Sequence, residues 1–347
     1  MSAPLKEPIG GLRFPAEWAP QDAVWFAWPT SEELWPGCLP RIRSQLAALY
    51  LLAARYQPVC VLCPTSARAE LFKHMGKERP PSNLQLFDYQ TDDIWCRDFG
   101  PLFCFEASTL TATDWGFNAW GNKFSLYQRD AAATAFIAEH LALPHHTYRT
   151  VLEGGAIESN GAGVLLTTEA VLLNPNRNGP VSHSAMESIL AKGLGADQVI
   201  WLEGGLAGDD TDGHIDNIAR FFSEDGILLA AAEDPSDPNH AVLMENRRRI
   251  EKSSTPTGRP FRIVDLPLPR PIRHKGGLLA ASYLNFLVLN DAVIVPTYGR
   301  PDETARVAEI LSECYPGREI IGFDCCDIIL EGGALHCLSQ NQPRPAD

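Results

Sequence analysis

Turn-forming dipeptides recur at a fixed distance along this chain, and that spacing limits its fold more than any other feature. Asn160-Gly161 splits GGAIESNGAGVLLTT, Asp225-Gly226 splits HIDNIARFFSEDGILLA and Asn290-Asp291 splits SYLNFLVLNDAVIVP, so successive turns lie 65 residues apart. Each turn separates two runs rich in β-branched and aromatic residues, the pattern of a hairpin. A helical period and then an apolar run follow, as in SHSAMESILAKGLG before QVIWLEGG and DETARVAEILSECYPG before REIIGFDCC. The repeating unit is therefore hairpin, helix, strand. WCRDFGPLFCFEASTLTATDW reads as a further hairpin, and RIRSQLAALYLLAARY before QPVCVLCP as a further helix and strand. About five such units fit in 347 residues.

Units of this kind cannot bury both faces alone, and packing them radially around an axis is an economical solution. The spacing predicts an α/β chain: a five-bladed, pseudo-symmetric α/β-propeller built from about five repeats of roughly 65 residues. With no long linker or break in composition, residues 1–347 read as a single domain. Three copies of Leu-Glu-Gly-Gly, at 152–155, 202–205 and 330–333, are placed at strand ends and argue for duplication. In a closed ring, polar residues far apart in sequence converge on the axis.

Composition narrows the partners. Forty-five per cent apolar residues supply a core, and 27 glycines with 27 prolines, in no triplet period, imply many turns. The net charge of −14 repels phosphate backbones and anionic headgroups and draws in small cations, so neither nucleic acid nor membrane is an expected partner. Nine cysteines without a disulfide-like spacing, and an opening MSAPLKEPIG without an apolar signal core, predict a reduced, cytoplasmic location. No apolar stretch approaches the roughly 18 to 20 residues that span a bilayer.

Several residues have the chemistry of a site, each with a plainer alternative. His214 and Asp216 stand two apart in a predicted strand and so share a face, an arrangement that serves acid–base work or structure. The preceding GDDTDG either holds a cation or is a solvated loop. Asp98 follows Trp95 by three and neighbours Arg97 before a Gly-Pro turn; an aromatic beside carboxylates suits a planar cation, and a surface Asp–Arg pair is the alternative. Cys337, in LEGGALHCLSQNQ, sits beside His336 after twin glycines, where a thiolate nucleophile has room; an inert thiol, as most of the nine cysteines must be, is the alternative. Cys60, Cys63, Cys325 and Cys326 lie in apolar strand contexts and read as core. The Cys60-to-Cys63 spacing has no second pair, so no zinc site is expected. Glu153 is a candidate to orient His214 from a neighbouring repeat, whereas Glu203 and Glu331, its counterparts in the other Leu-Glu-Gly-Gly copies, read as architecture.

Six motifs in order, PAEWAPQDAVWFAWP, DDIWCRDFGP, LEGGAIESNGAGVLLTTEAVLLNPNRN, GDDTDGHIDNIARF, SYLNFLVLN and GGALHCLSQNQP, cover nearly the whole chain. In these the chain resembles the agmatine deiminase family, within the guanidine-modifying superfamily of α/β-propellers that also holds arginine deiminases and bacterial peptidylarginine deiminases. The resemblance implies that Cys337 is the nucleophile, His214 the acid–base group, and Asp98 and Asp216 the guanidinium-binding pair. Glu153 would orient and charge-stabilise His214, Trp95 would pack against the substrate, Asn285 would shape the pocket, and Asp210 would contact the cationic substrate. It implies no metal and no organic cofactor, a small cationic guanidine as partner, and allows a homodimer.

The implied reaction is hydrolysis of agmatine to N-carbamoylputrescine and ammonia through an amidino-cysteine intermediate. The alternatives are a deiminase of free arginine, peptidylarginine or a methylated arginine, an amidinotransferase, a metal-dependent hydrolase and a non-catalytic propeller. Relatives acting on peptidylarginine carry an arginine pair where this chain has FNAWGNKF; Lys123 is the one cation there. Cys96 and Phe99 depart from plant-like members.

Overall fold

The computed structural model describes residues 11–345. Its strands form five sheets of three or four strands and one two-stranded ribbon, Arg273–His274 with Gly277–Leu278. The five larger sheets share one connectivity, in which an antiparallel pair is extended on one side by a parallel strand that arrives after a helix. Glu158–Ser159 and Val164–Thr168 pair antiparallel about the Asn160-Gly161 turn, the helix His183–Leu194 follows, and Gln198–Leu202 adds in parallel. Ala219–Ser223, Gly226–Ala231, the helix His240–Glu251 and Arg262–Pro267 repeat this, as do Leu287–Val288, Ala292–Thr297, Pro301–Cys314 and Glu319–Asp324. All three predicted hairpins are present, and with them the α/β class.

A fourth unit joins Leu102–Glu106, Thr109–Gly116, the helix Ala133–His140 and His145–Val151, with Leu12–Arg13 added at its edge. Its hairpin begins later than the sequence suggests, because Cys96–Phe99 forms a single helical turn ahead of it. The fifth unit takes its two antiparallel strands from opposite ends of the chain: Gln340–Pro343 pairs with Gln21–Ala27, and the helix Leu39–Ala53 leads to the parallel strand Val59–Leu62, itself followed by Leu84–Phe87.

Local chemistry explains these elements. In His183–Leu194, the Ser182 hydroxyl caps Ala185 N, and Gly195 ends the helix at φ 68°. Met186, Leu190, Gly193 and Leu194 make its buried stripe. Val59–Leu62 and Val164–Thr168 are buried along their whole length, as expected of strands covered on both faces. Two of the Leu-Glu-Gly-Gly copies do follow strands; the third, Leu330–Gly333, lies instead across the helical turn Ile328–Glu331 and the loop after it. Cys60, Cys63 and Cys325 are buried, but Cys326 is exposed and is not core. No helix among the described residues is long and apolar enough to cross a membrane.

Candidate active site

Each unit enters its first strand through a tight turn, and these turns carry the site. Asp98 lies on Cys96–Phe99 ahead of Leu102–Glu106, and Gly155 on the turn Gly154–Ala156 ahead of Glu158–Ser159. His214 and Asp216 lie at and in the turn Ile215–Asn217 ahead of Ala219–Ser223, Asn285 just before Leu287–Val288, and Cys337 just before Gln340–Pro343. His214 and Asp216 therefore do not share one face of a strand as the sequence suggested; a short turn brings both inward. Asp98, His214, Asp216, Asn285 and Cys337 are all buried, none more than 5% exposed.

Their side chains converge. A Cβ on Gly155 would lie 2.5 Å from His214 Nδ1, 2.7 Å from Asp98 Oδ1 and 3.2 Å from Asp216 Oδ2, so glycine there lets three charged groups meet. Asp98 Oδ1 accepts from Gly155 N at 3.0 Å and faces His214 Nδ1 at 3.6 Å, and its Oδ2 accepts from Trp120 Nε1 at 2.9 Å. Cys337 Sγ accepts from Asn285 Nδ2 at 3.1 Å and donates to Asp216 Oδ2 at 3.4 Å. Asn285 Oδ1 in turn accepts from the backbone N–H of His336 and of Cys337, which fixes the cysteine's approach.

The electrostatics are those of a site waiting for a cation. Burial pushes Asp98 up to about 6, with Asp216 adding and His214 opposing. Burial also opposes the His214 imidazolium, but Asp98, Glu153 and Asp216 together outweigh it and raise its pKa. Asp216 is desolvated, yet His336 and His214 bring it below the usual carboxylate range. Burial, then the Asp216 and Asp98 charges, hold Cys337 well above an ordinary thiol, so the resting sulfur is protonated. Both ring nitrogens of His214, Asp216 Oδ1 and Glu153 Oε2 are buried without a hydrogen-bond partner. Leaving such groups unmet costs about 1 to 3 kcal/mol each, which marks the place a ligand completes.

Beside Cys337 a cavity of about 500 Å³ is lined by Asp93, Asp98, Asp210 and Glu331 among aromatic walls of Trp35, Trp95, Trp120 and Phe124. The family model described as Porphyromonas-type peptidyl-arginine deiminase matches residues 13–343. The chain belongs to that family. An agmatine deiminase of Pseudomonas aeruginosa (strain LESB58) is 34% identical over 370 residues, 99% of each chain. Among solved structures, a cysteine-to-serine variant of C. jejuni agmatine deiminase with substrate bound is 32% identical, with 97% of both chains covered at a TM-score of 0.88. An agmatine deiminase of Enterococcus faecalis is 27% identical, with 97% of both covered at a TM-score of 0.90.

In this deiminase-family chain the remaining candidates fall as follows. Glu153 is fully buried but makes no hydrogen bond to His214: its Oε1 accepts from Arg177 Nε at 2.6 Å, and it acts on the imidazole through its field. Arg177 also reaches Asp212 Oδ2 at 2.5 Å and the Thr211 carbonyl at 2.9 Å, tying Glu153 to the cavity wall. Trp95 packs over Gly333, whose Cβ would meet its ring at 2.3 Å, and lines the cavity. Asp210 lines it too, beside Gly332, and burial with Asp209 pushes its carboxyl up. Lys123 is tied to the Asp210 carbonyl and, at 2.7 Å, to Asp212 Oδ1, and does not line the cavity. Cys96 and Phe99 point into the core. Glu331, read as architecture, is a lining residue, and Trp120, Asp93 and Arg177 carried no local signal that singled them out.

Glu17, Glu158 and His336 present ligand atoms within 4.8 Å of one another, the spacing of a metal site. Arg220 donates to both carboxylates, to Glu17 at 2.5 Å and to Glu158 at 2.9 Å, so this cluster already holds its cation and does not fit a metal.

Proposed function

We propose that this chain is an agmatine deiminase, hydrolysing the guanidinium of agmatine to N-carbamoylputrescine and ammonia. One observation carries the reading. The cavity beside Cys337 has four carboxylates, and among the described residues lining it there is no lysine, arginine or histidine. A ligand with a cation at each end fits such a wall, whereas the carboxylate of free arginine finds no partner. Relatives named agmatine deiminase over nearly the full chain support the same substrate.

The geometry supports the following residue roles. The planar guanidinium donates to Asp98 and to the open Oδ1 of Asp216, with Trp95 and Trp120 against its faces, Asp210 and Glu331 taking the distal ammonium, and Asn285 holding Cys337. Its charge offsets the field that keeps the thiol protonated, so binding releases that proton to solvent and gives the thiolate. Sulfur then bonds to the guanidinium carbon. His214, whose imidazolium form the field of Asp98 and Glu153 favours, gives its proton to one terminal nitrogen, and that carbon–nitrogen bond breaks to release ammonia. Neutral His214 next takes a proton from water as the water oxygen adds to the same carbon. Collapse to the urea expels Cys337 as thiolate and gives up the remaining hydroxyl proton to solvent. We infer likewise that the five sheets are blades of a five-bladed α/β-propeller in one domain over 1–347, which the shared connectivity and the strand pair joining the two ends support.

The test is ammonia release from agmatine, arginine, a peptidylarginine and methylarginine, with and without an added amine acceptor. Agmatine is expected to lead by at least about a hundredfold in kcat/KM, since a lost charged contact is worth several kcal/mol. Cys337→Ala should abolish release with an unchanged melting curve. Near-normal turnover in that variant overturns the mechanism, and a preference for arginine or a peptide overturns the substrate.

A further inference from the structure

His336, the neighbour of Cys337, is used by none of the steps above, yet it is 1% exposed and stands between two carboxylates. Its Nδ1 is 2.8 Å from Asp216 Oδ2 and its Nε2 2.9 Å from Glu17 Oε2. A neutral imidazole has one proton, and would turn a bare lone pair on one of these oxygens; only the doubly protonated ring satisfies both. The charges around it agree. Asp216, Glu17 and Glu158 are three carboxylates. Facing them are two guanidiniums: Arg220, paired with Glu17 and Glu158, and Arg97, whose terminal nitrogen lies 3.6 Å from Glu17 Oε1 and whose Nε reaches the His336 carbonyl. Asp98 and His214, which face Asp216 from the other side, are of opposite sign and offset each other, so a third positive charge balances the cluster.

We propose that His336 is a positioning residue for the deimination, standing as an imidazolium between Asp216 and Glu17 and thereby holding Asp216 ionised and turned so that Oδ1 is left for the guanidinium. The orientation is already visible: Oδ2 takes both His336 and the Cys337 thiol, and Oδ1 has no partner. Asp216 then cannot accept the thiol proton for good, because its proton-binding oxygen is held by a cation. Consecutive residues also face different spaces. Cys337 lines the substrate cavity, and His336 lines a second cavity of about 510 Å³ with Glu17 and Arg97, which shares no lining residue with the first. The charged clamp is thus kept apart from the reacting carbon.

The proposal rests on Asp216 as a guanidinium ligand, and its test has a readout that needs no turnover. In protein labelled with 15N-histidine, the His336 ring, assigned by its absence in His336→Asn, is expected to show two protonated nitrogens at neutral pH. A neutral tautomer at neutral pH in an otherwise active protein overturns the clamp and leaves the activity standing. His336→Asn keeps a donor towards Asp216 without the charge, so Asp216 should hold its proton to higher pH: the acid limb of kcat/KM should move up by about a unit, with the loss confined to that limb and recovered as pH rises. An equal loss at every pH marks a merely structural residue and overturns the proposal. Should that variant fail to fold, Glu17→Gln takes its place: His336 should then lose its second proton at lower pH in the same spectra, and an unchanged titration overturns the pairing.

Discussion

Asp98 accepts from Gly155 and Trp120 and still titrates at about 6, because burial outweighs both bonds. Its unfolded value is near 3.8, so the folded chain binds this proton more tightly than the unfolded one. Ionising Asp98 therefore costs stability that is absent below about pH 4 and fully felt above about pH 6. Asp93, pushed up to about 7 by burial with Glu331 adding, behaves alike. A bound dication removes this cost. In Cys337→Ala, agmatine should raise the melting temperature more at about pH 7.5 than at about pH 5, and calorimetry in buffers of different ionisation heat should show proton release on binding. Equal shifts at both pH values, or proton uptake, would mean that these carboxylates do not meet the ligand. Trp120→Phe tests the same oxygen from the other side. It keeps an aromatic wall and deletes one N–H to a carboxylate, worth about 1.5 to 3 kcal/mol, so KM for agmatine should rise roughly tenfold or more. An unchanged KM would remove Trp120 from the site.

The element that presents Trp120 is a run of left-handed backbone: Ala119, Trp120, Gly121 and Asn122 have φ of 51°, 54°, 89° and 62°. Such residues cost about 1 kcal/mol or more apiece outside glycine and persist only where surroundings impose them. Here Asn118 Oδ1 accepts from Gly121 N, and Gly121 lies against Asn176, whose side chain would be 2.4 Å from an added Cβ. Gly121→Ala should lower the melting point through about 1 to 3 kcal/mol of strain and raise KM by displacing Trp120. A variant that melts lower with KM unmoved would separate this turn from binding. The difference between what was legible and what was not lies in element size. Asn160-Gly161, Asp225-Gly226 and Asn290-Asp291 announced hairpins because turn chemistry is local, and the helices His183–Leu194 and Pro301–Cys314 are long enough to show a 3.6-residue period. The single turns Cys96–Phe99 and Ile215–Asn217 show no period at all, so the sequence puts His214 and Asp216 on a strand that neither occupies. Glu153 was expected beside His214, but its hydrogen-bonded partner is Arg177, a pairing that only the folded chain brings together.

At the scale of the molecule, strands from near the two ends of the chain share a sheet: Trp25 Nε1 donates to Gln342 Oε1 at 2.9 Å, and beside them Arg344 donates to Asp22 at 2.7 Å. No local pattern pairs residues so far apart in sequence, which is why the first third of the chain read weakly while the rest of the repeat was plain. The strand Gln340–Pro343 begins just after Cys337, so the same pairing that joins the ends also fixes the sulfur. The net charge acts over longer distances. A field from −14 attracts a dication across tens of ångströms at low salt, where screening lengths are about 30 Å at 0.01 M, and hardly at all at 1 M, where they are about 3 Å. Contacts inside the buried cavity lie closer than either length and keep most of their strength. The two contributions therefore separate in kinetics: kcat/KM for agmatine should fall several-fold between about 0.01 M and about 1 M salt, while kcat at saturation stays nearly constant. If kcat falls in parallel, salt is reaching the buried carboxylates themselves; if kcat/KM is flat, the surface charge does not steer the substrate and the four carboxylates of the cavity act alone.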